Sequence, residues 1–105
     1  MEQIEVETEL LMFRSETSGS AGGYIRISGE AADAIRVAAM TGQWADGRRG
    51  NFGSAKVMAT IGGTSWPNSV FPEKGGDGWF MPVKLAVRKA EGLVEGDRIT
   101  VRIDL

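Results

Sequence analysis

Residues 78–105, GWFMPVKLAVRKAEGLVEGDRITVRIDL, decide the fold. Trp79-Phe80-Met81 reads as a short apolar strand, and Pro82 stands where a helix can open on its first turn. Val83, Val87 and Ala90, with Ala86 between them, make one apolar stripe at helical spacing, while Lys84, Arg88 and Lys89 occupy the opposite side. Gly92 is a helix stop in the left-handed conformation, with Leu93 placed to cover the last turn. Glu95-Gly96-Asp97 turns the chain, and Ile99, Val101 and Ile103 then alternate with Thr100, Arg102 and Asp104 in a terminal strand. The unit is strand, short helix, strand.

An echo of this unit lies upstream. Tyr24-Ile25-Arg26-Ile27-Ser28 leads into the alanine-rich segment Gly29–Met40, and both strands are introduced by glycines, Gly22-Gly23 and Gly75-Gly76 with Gly78. Ser28 suits the N-cap of that segment, in which Ala31, Ala34, Ile35, Ala38 and Ala39 fall at helical spacing. Ahead of it, Ile4, Val6, Thr8, Leu10 and Met12 alternate with Gln3, Glu5, Glu7, Glu9 and Leu11, a strand with one apolar and one acidic face. Residues 55–61 alternate again, and Gly62-Gly63 is a two-residue hairpin signal joining them to Thr64–Phe71. Pro67 marks that second arm as irregular or as lying on a sheet edge. The expected fold is mainly β: a small barrel or double-split pseudobarrel of six to seven strands with two short helices, built from two related halves within one domain, residues 1–105.

Composition narrows the chemistry. The 105 residues contain no cysteine and no histidine, which excludes thiol nucleophiles, disulfides and imidazole-based acid–base mechanisms, and removes the usual zinc ligands. Fifteen glycines suit a turn-rich β chain. No apolar run is long enough for a membrane helix, and the acidic start MEQIEVETELLMF lacks the basic region of a secretory signal, so a cytoplasmic protein is expected. The net charge of −2 is uneven: residues 1–33 hold seven acids against two bases, and residues 34–105 hold ten bases against seven acids. Nucleic-acid binders normally carry a basic excess.

The run IGGTSWPNSVFP followed by GWFMPVKLAVRKAEGLVEGDRITVRIDL resembles the family called domain of unknown function 1905. Its members share GG-x-x-[FW], S-[LV]-FP, a glycine, [LM]P-V-K-x-x-[VIL]-R-K-A, then GL and GD before an alternating strand. Members commonly carry Leu-Pro where the first helix begins, whereas this chain has Ile27-Ser28-Gly29, which bears on where that helix starts. The resemblance implies a small β-barrel with short helices and no established activity. The segment MPVKLAVRKAEGLVEGDRITVRI is also similar to the AbrB/MazE swapped-hairpin proteins, many of which bind DNA as dimers. Any tight strand–helix–strand unit needs the same proline, helix stop and Gly-Asp turn.

Three groups of residues are candidate sites. Lys84, Arg88 and Lys89 form a basic helix face suited to phosphates, though Glu91, Glu95 and Asp97 lie close enough to neutralise it. Trp44, Arg48 and Arg49, with Phe52, combine cations with stacking surfaces in a loop, the ingredients for an anionic ligand or single-stranded nucleic acid; the plainer alternative is an aromatic lid on the barrel. Trp66 and Ser69, near Phe71, Trp79 and Phe80, suit either a cleft with a polar mouth or plain core packing. No carboxylate pair, activated serine or phosphate loop is present to support catalysis. The expectation is a non-catalytic binding or interaction module without cofactor or metal, monomeric, for a small molecule or protein; the alternative is an AbrB-like DNA-binding regulator or antitoxin.

Overall fold

The computed structural model describes residues 3–17, 19, 21–40, 54–73 and 78–105. Along the chain run β1 (Gln3–Glu9), β2 (Leu11–Arg14), β3 (Ala21–Ile27), α1 (Gly29–Met40), β4 (Ala55–Ile61), β5 (Thr64–Pro72), β6 (Trp79–Val83), α2 (Leu85–Glu91) and β7 (Arg98–Asp104). The strands form one antiparallel sheet in the order β1-β7-β4-β5-β6-β3-β2. Its two end members, β1 and β2, are separated only by Leu10, so both ends of the sheet belong to the same run of chain. The sheet therefore curls strongly into a half-barrel. Leu10 is fully buried at the bend; its N–H donates to the Asp97 carbonyl at 2.8 Å and its carbonyl accepts from Gly96 at 2.9 Å.

Alternation places Val6, Ile25, Ile27, Val57, Val101 and Ile103 inside, with Trp66 and Trp79 among them. Ile27 pairs with Trp79 while Gly23 pairs with Val83, so α1 and α2 leave from opposite ends of the β3·β6 pair. α1 buries Ala32, Ile35 and Ala38 in the core, and Trp79 Nε1 donates to the Ala32 carbonyl at 3.2 Å. Gly29 turns the chain from β3 into α1 with φ 67°.

The two halves repeat. β3 pairs with β6 and β4 with β7, and β5 joins β4 to β6 as the β1–β2 run joins β7 to β3. Registers correspond residue by residue. Leu11 opposite Tyr24 in the first half matches Phe71 opposite Phe80 in the second, so Tyr24 is the counterpart of Phe80 and Gly22 that of Gly78. The sheet opens at the same place in each half, and a side chain bridges each opening. Thr8 Oγ1 donates to the Arg26 carbonyl at 3.3 Å. Its counterpart Asn68 donates from Nδ2 to the Pro82 carbonyl at 2.6 Å, and Asn68 Oδ1 accepts from the Ser69 N–H at 2.8 Å.

Pro82 does not open a helix. It lies in β6 opposite Tyr24, and α2 starts at Leu85 with Lys84 as its N-cap. A proline without N–H is tolerated in a strand where the ladder stops. β5 and β6 share only the pairs Phe71↔Phe80 and Pro72↔Trp79, beyond which Pro67 and Pro82 flank the opening. Pro67 thus sits within an interior strand and marks its departure from β6. Gly92 ends α2 as expected, at φ 65° with its N–H on the Arg88 and Lys89 carbonyls. The apolar stripe of α2 shrinks to Val87, with Leu85, Ala86 and Ala90 exposed, because a two-turn helix presents little more than one position inward.

The β4–β5 hairpin turns on Gly62, whose φ of 57° suits glycine. A Cβ there would overlap the Glu91 carboxylate, which accepts from Thr64 Oγ1 at 2.6 Å and ties α2 to the turn. Gly62→Ala is expected to cost about 1–2 kcal/mol from the left-handed backbone plus the displacement of Glu91. In a Glu91→Ala background the second part disappears, and urea unfolding of the double-mutant cycle measures it. Asn68→Ala leaves the Pro82 carbonyl and Ser69 N–H without these partners, a loss of about 1–3 kcal/mol. Calorimetry should show Tm falling by roughly 4–8 °C per kcal/mol in a domain of this size.

Candidate functional site

The outer face of the sheet divides into two unlike parts. Across β1 and β7 the outward positions are charged or polar: Glu5 faces Arg102 and Glu9 faces Arg98, and Arg98 Nε donates to Glu7 Oε1 at 3.0 Å. From β4 across to β2 they are largely apolar. Met58, Pro67, Phe71, Phe80, Pro82, Tyr24, Leu11 and Phe13 stand there by strand register. Phe71 and Phe80 stack with centroids 5.3 Å apart, and Phe13 tilts against Tyr24 at 6.1 Å with its ring over Gly22. Phe13, Met58 and Phe80 are 52%, 41% and 37% exposed. Phe71, Pro82, Tyr24 and Leu11 between them are half-buried.

A groove of about 440 Å³ runs along the β5–β6 opening, lined by Lys56, Val57, Pro67, Asn68, Ser69, Phe71 and Pro82. It is a shallow depression, open to solvent over most of its extent. Lys56 lies opposite Ser69 in the β4·β5 register. Beyond Phe80, Arg26 NH2 reaches Glu73 Oε2 at 2.5 Å. Hydrogen bonding to Glu73, and then its charge, push the Arg26 pKa further up from its ordinary value. Glu73 also donates its N–H to the Gly78 carbonyl at 2.9 Å, which holds this end of the face together. Apolar walls with an amine and a hydroxyl at the mouth suit the binding and orientation of a ligand.

The structure places the expected residues unevenly. Ser69 lines the groove. Trp66 points into the core at 5% exposure, where it packs rather than lines a cleft. Trp44, Arg48 and Arg49 lie outside the described residues. Lys84 and Lys89 are exposed, but Arg88 is half-buried: its Nε donates to the Val83 carbonyl at 3.1 Å and its NH1 reaches Met12 Sδ at 3.8 Å. Its side chain lies against Gly23, where an added Cβ would stand 2.9 Å from Arg88 Cδ. The basic helix face therefore presents two cations to solvent instead of three. Sequence reasoning expects a ligand at the 43–53 loop, which lies outside the described residues, and at the 64–72 arm, which includes Pro67 and Asn68 without naming either, and it missed Lys56. The alternation of β4 and β5 signals Lys56 and Pro67, while nothing local signals Asn68.

Among the described residues no group of three acids could hold a metal ion, and no helix is long and apolar enough to cross a membrane. Neither the curated proteins nor the solved structures include a match to this chain, and no relation to the AbrB/MazE proteins was found. One family model does match, over residues 7–103, and its family is described as a domain of unknown function, DUF1905. With nearly its whole length covered, motif and half-barrel together, the chain belongs to the DUF1905 family.

Proposed function

We propose that this domain is a non-catalytic binding module whose ligand lies on the apolar outer face, seated in the groove at the β5–β6 opening. The supporting observation is the contrast between the two equivalent openings. Glu7 and Glu9 beside the first correspond to Pro67 and Ser69 beside the second, so the same backbone carries a solvated surface once and an apolar one once. Core packing does not require phenylalanine and proline at the outward positions, and a partner that covers them accounts for their presence.

The polar groups of the groove are an amine, a hydroxyl and an amide already bonded to the backbone, a set better suited to orienting a ligand than to transforming it. One chain supplies both halves of the sheet, which supports a monomer as the working form. DNA binding through Lys84, Arg88 and Lys89 has less support, because the Arg88 guanidinium is engaged by Val83 and Met12.

A fragment screen followed by amide chemical-shift mapping tests this reading. Hits are expected to move the signals of Lys56, Ser69, Phe71 and Phe80, and hits that cluster on another surface would overturn it. A gel shift of duplex DNA is expected to show no retardation. Retardation that falls steeply with salt and is lost in Lys84→Ala/Lys89→Ala would favour the regulator instead. Light scattering should give the mass of one chain.

A further inference from the structure

We propose that Gly62-Gly63 is the hinge of a segment exchange, through which the second half of this chain closes the sheet of a second copy. The halves run from β1 to β4 and from β5 to β7, and that turn joins them. Among the described residues β4 pairs with β5 and β7, and β7 with β1 and β4. Each half thus gives its last strand wholly to the other. The buried residues Val57, Ala59 and Ile61 on β4, and Ile99, Val101 and Ile103 on β7, lie along this boundary.

One of the two equivalent seams holds without a turn. Ile103 faces Ile4 in the β7·β1 ladder as Ile61 faces Thr64 in the β4·β5 ladder, yet β7 and β1 are not consecutive strands. The Gly62-Gly63 turn therefore adds proximity to a pairing that a second copy also supplies. A short link is worth an effective concentration of about millimolar, so the dilute chain closes on itself. Exchange keeps every strand pair and alters only the hinge, which makes it a low-cost route to a dimer.

Deleting Gly63 separates the two closures. One residue cannot form the two-residue turn of the hairpin. Ile61 and Thr64, then two positions apart, fall on the same face of a continuous strand. They share a face in the hairpin too, being paired, so β4 of one copy meets β5 of the other in the native register.

Disulfide trapping reads the exchange directly. The chain has no cysteine, and Thr60 and Ser65 face each other with their hydroxyls 2.8 Å apart, which suits a disulfide in Thr60→Cys/Ser65→Cys. With both glycines present and the protein dilute, oxidation after folding is expected to link each chain to itself, and light scattering to give the mass of one chain. With Gly63 deleted, light scattering should give two chains, circular dichroism should be unchanged, and a denaturing gel without reductant should show two chains linked together. A folded monomer, or a dimer whose disulfides stay within each chain, overturns the proposal. If the deletion variant does not fold, the cysteine pair with both glycines is refolded from urea at about millimolar concentration. A dimer linked between chains then supports the exchange, and monomer alone overturns it.

Discussion

The β1–β2 run has to pair on both of its sides, with β7 through residues 3–9 and with β3 through residues 11–14. A flat sheet cannot have one segment at both ends, so this requirement bends the other strands into a curl and creates the interior that the apolar residues fill. Leu10, buried and hydrogen-bonded to the Gly96-Asp97 turn, holds the change of partner in place. The same demand falls on β5, which pairs with β4 along its length and with β6 only at its end. Each of these strands leaves one neighbour before its end, and the two openings follow from that geometry.

Repetition makes the differences between the halves informative. The backbone plan is shared down to the bridging side chain, Thr8 in one half and Asn68 in the other. What differs is what faces water. Pairs of opposite charge across β1 and β7 add little stability at exposed positions, and they keep that surface solvated. The row from Met58 to Phe13 has no such role in solubility. Exposed apolar side chains there are compatible with a stable fold because the core beneath them is complete.

Much of the architecture was legible in local patterns. Alternation located the strands, Gly62-Gly63 located the hairpin and Gly92 located the end of α2, because each depends on backbone preferences of a few neighbouring residues. The echo between Tyr24-Ile25-Arg26-Ile27 and Trp79-Phe80-Met81-Pro82 is off by one residue, because the strand registers make Phe80, and not Trp79, the counterpart of Tyr24. Pro82 was ambiguous, since a proline between an apolar run and a helix fits either the first helical turn or the last strand positions. The distant opening beside β5 decided it. Trp79 and Phe80, adjacent in a strand, cannot both face inward, and alternation does not say which one does. The hydrogen bond from Trp79 to Ala32 settles that choice and leaves Phe80 outside. The candidate site was therefore only partly readable: Ser69 was found through its aromatic neighbours, whereas Asn68 depends on a carbonyl that becomes its neighbour only after the sheet curls.

The pairing of Gln3 with Asp104 has a consequence for biogenesis. β1 waits for β7, the strand most distant from it in this domain's sequence, before their ladder can form. Until then the apolar side of β1 has no β7 to cover it, and contacts this distant in sequence slow folding to the range of about milliseconds to seconds. The sheet is thus complete only once residues 98–104 are free to pair with residues 3–9. That interval is when the domain is most exposed to misassociation and to chaperones.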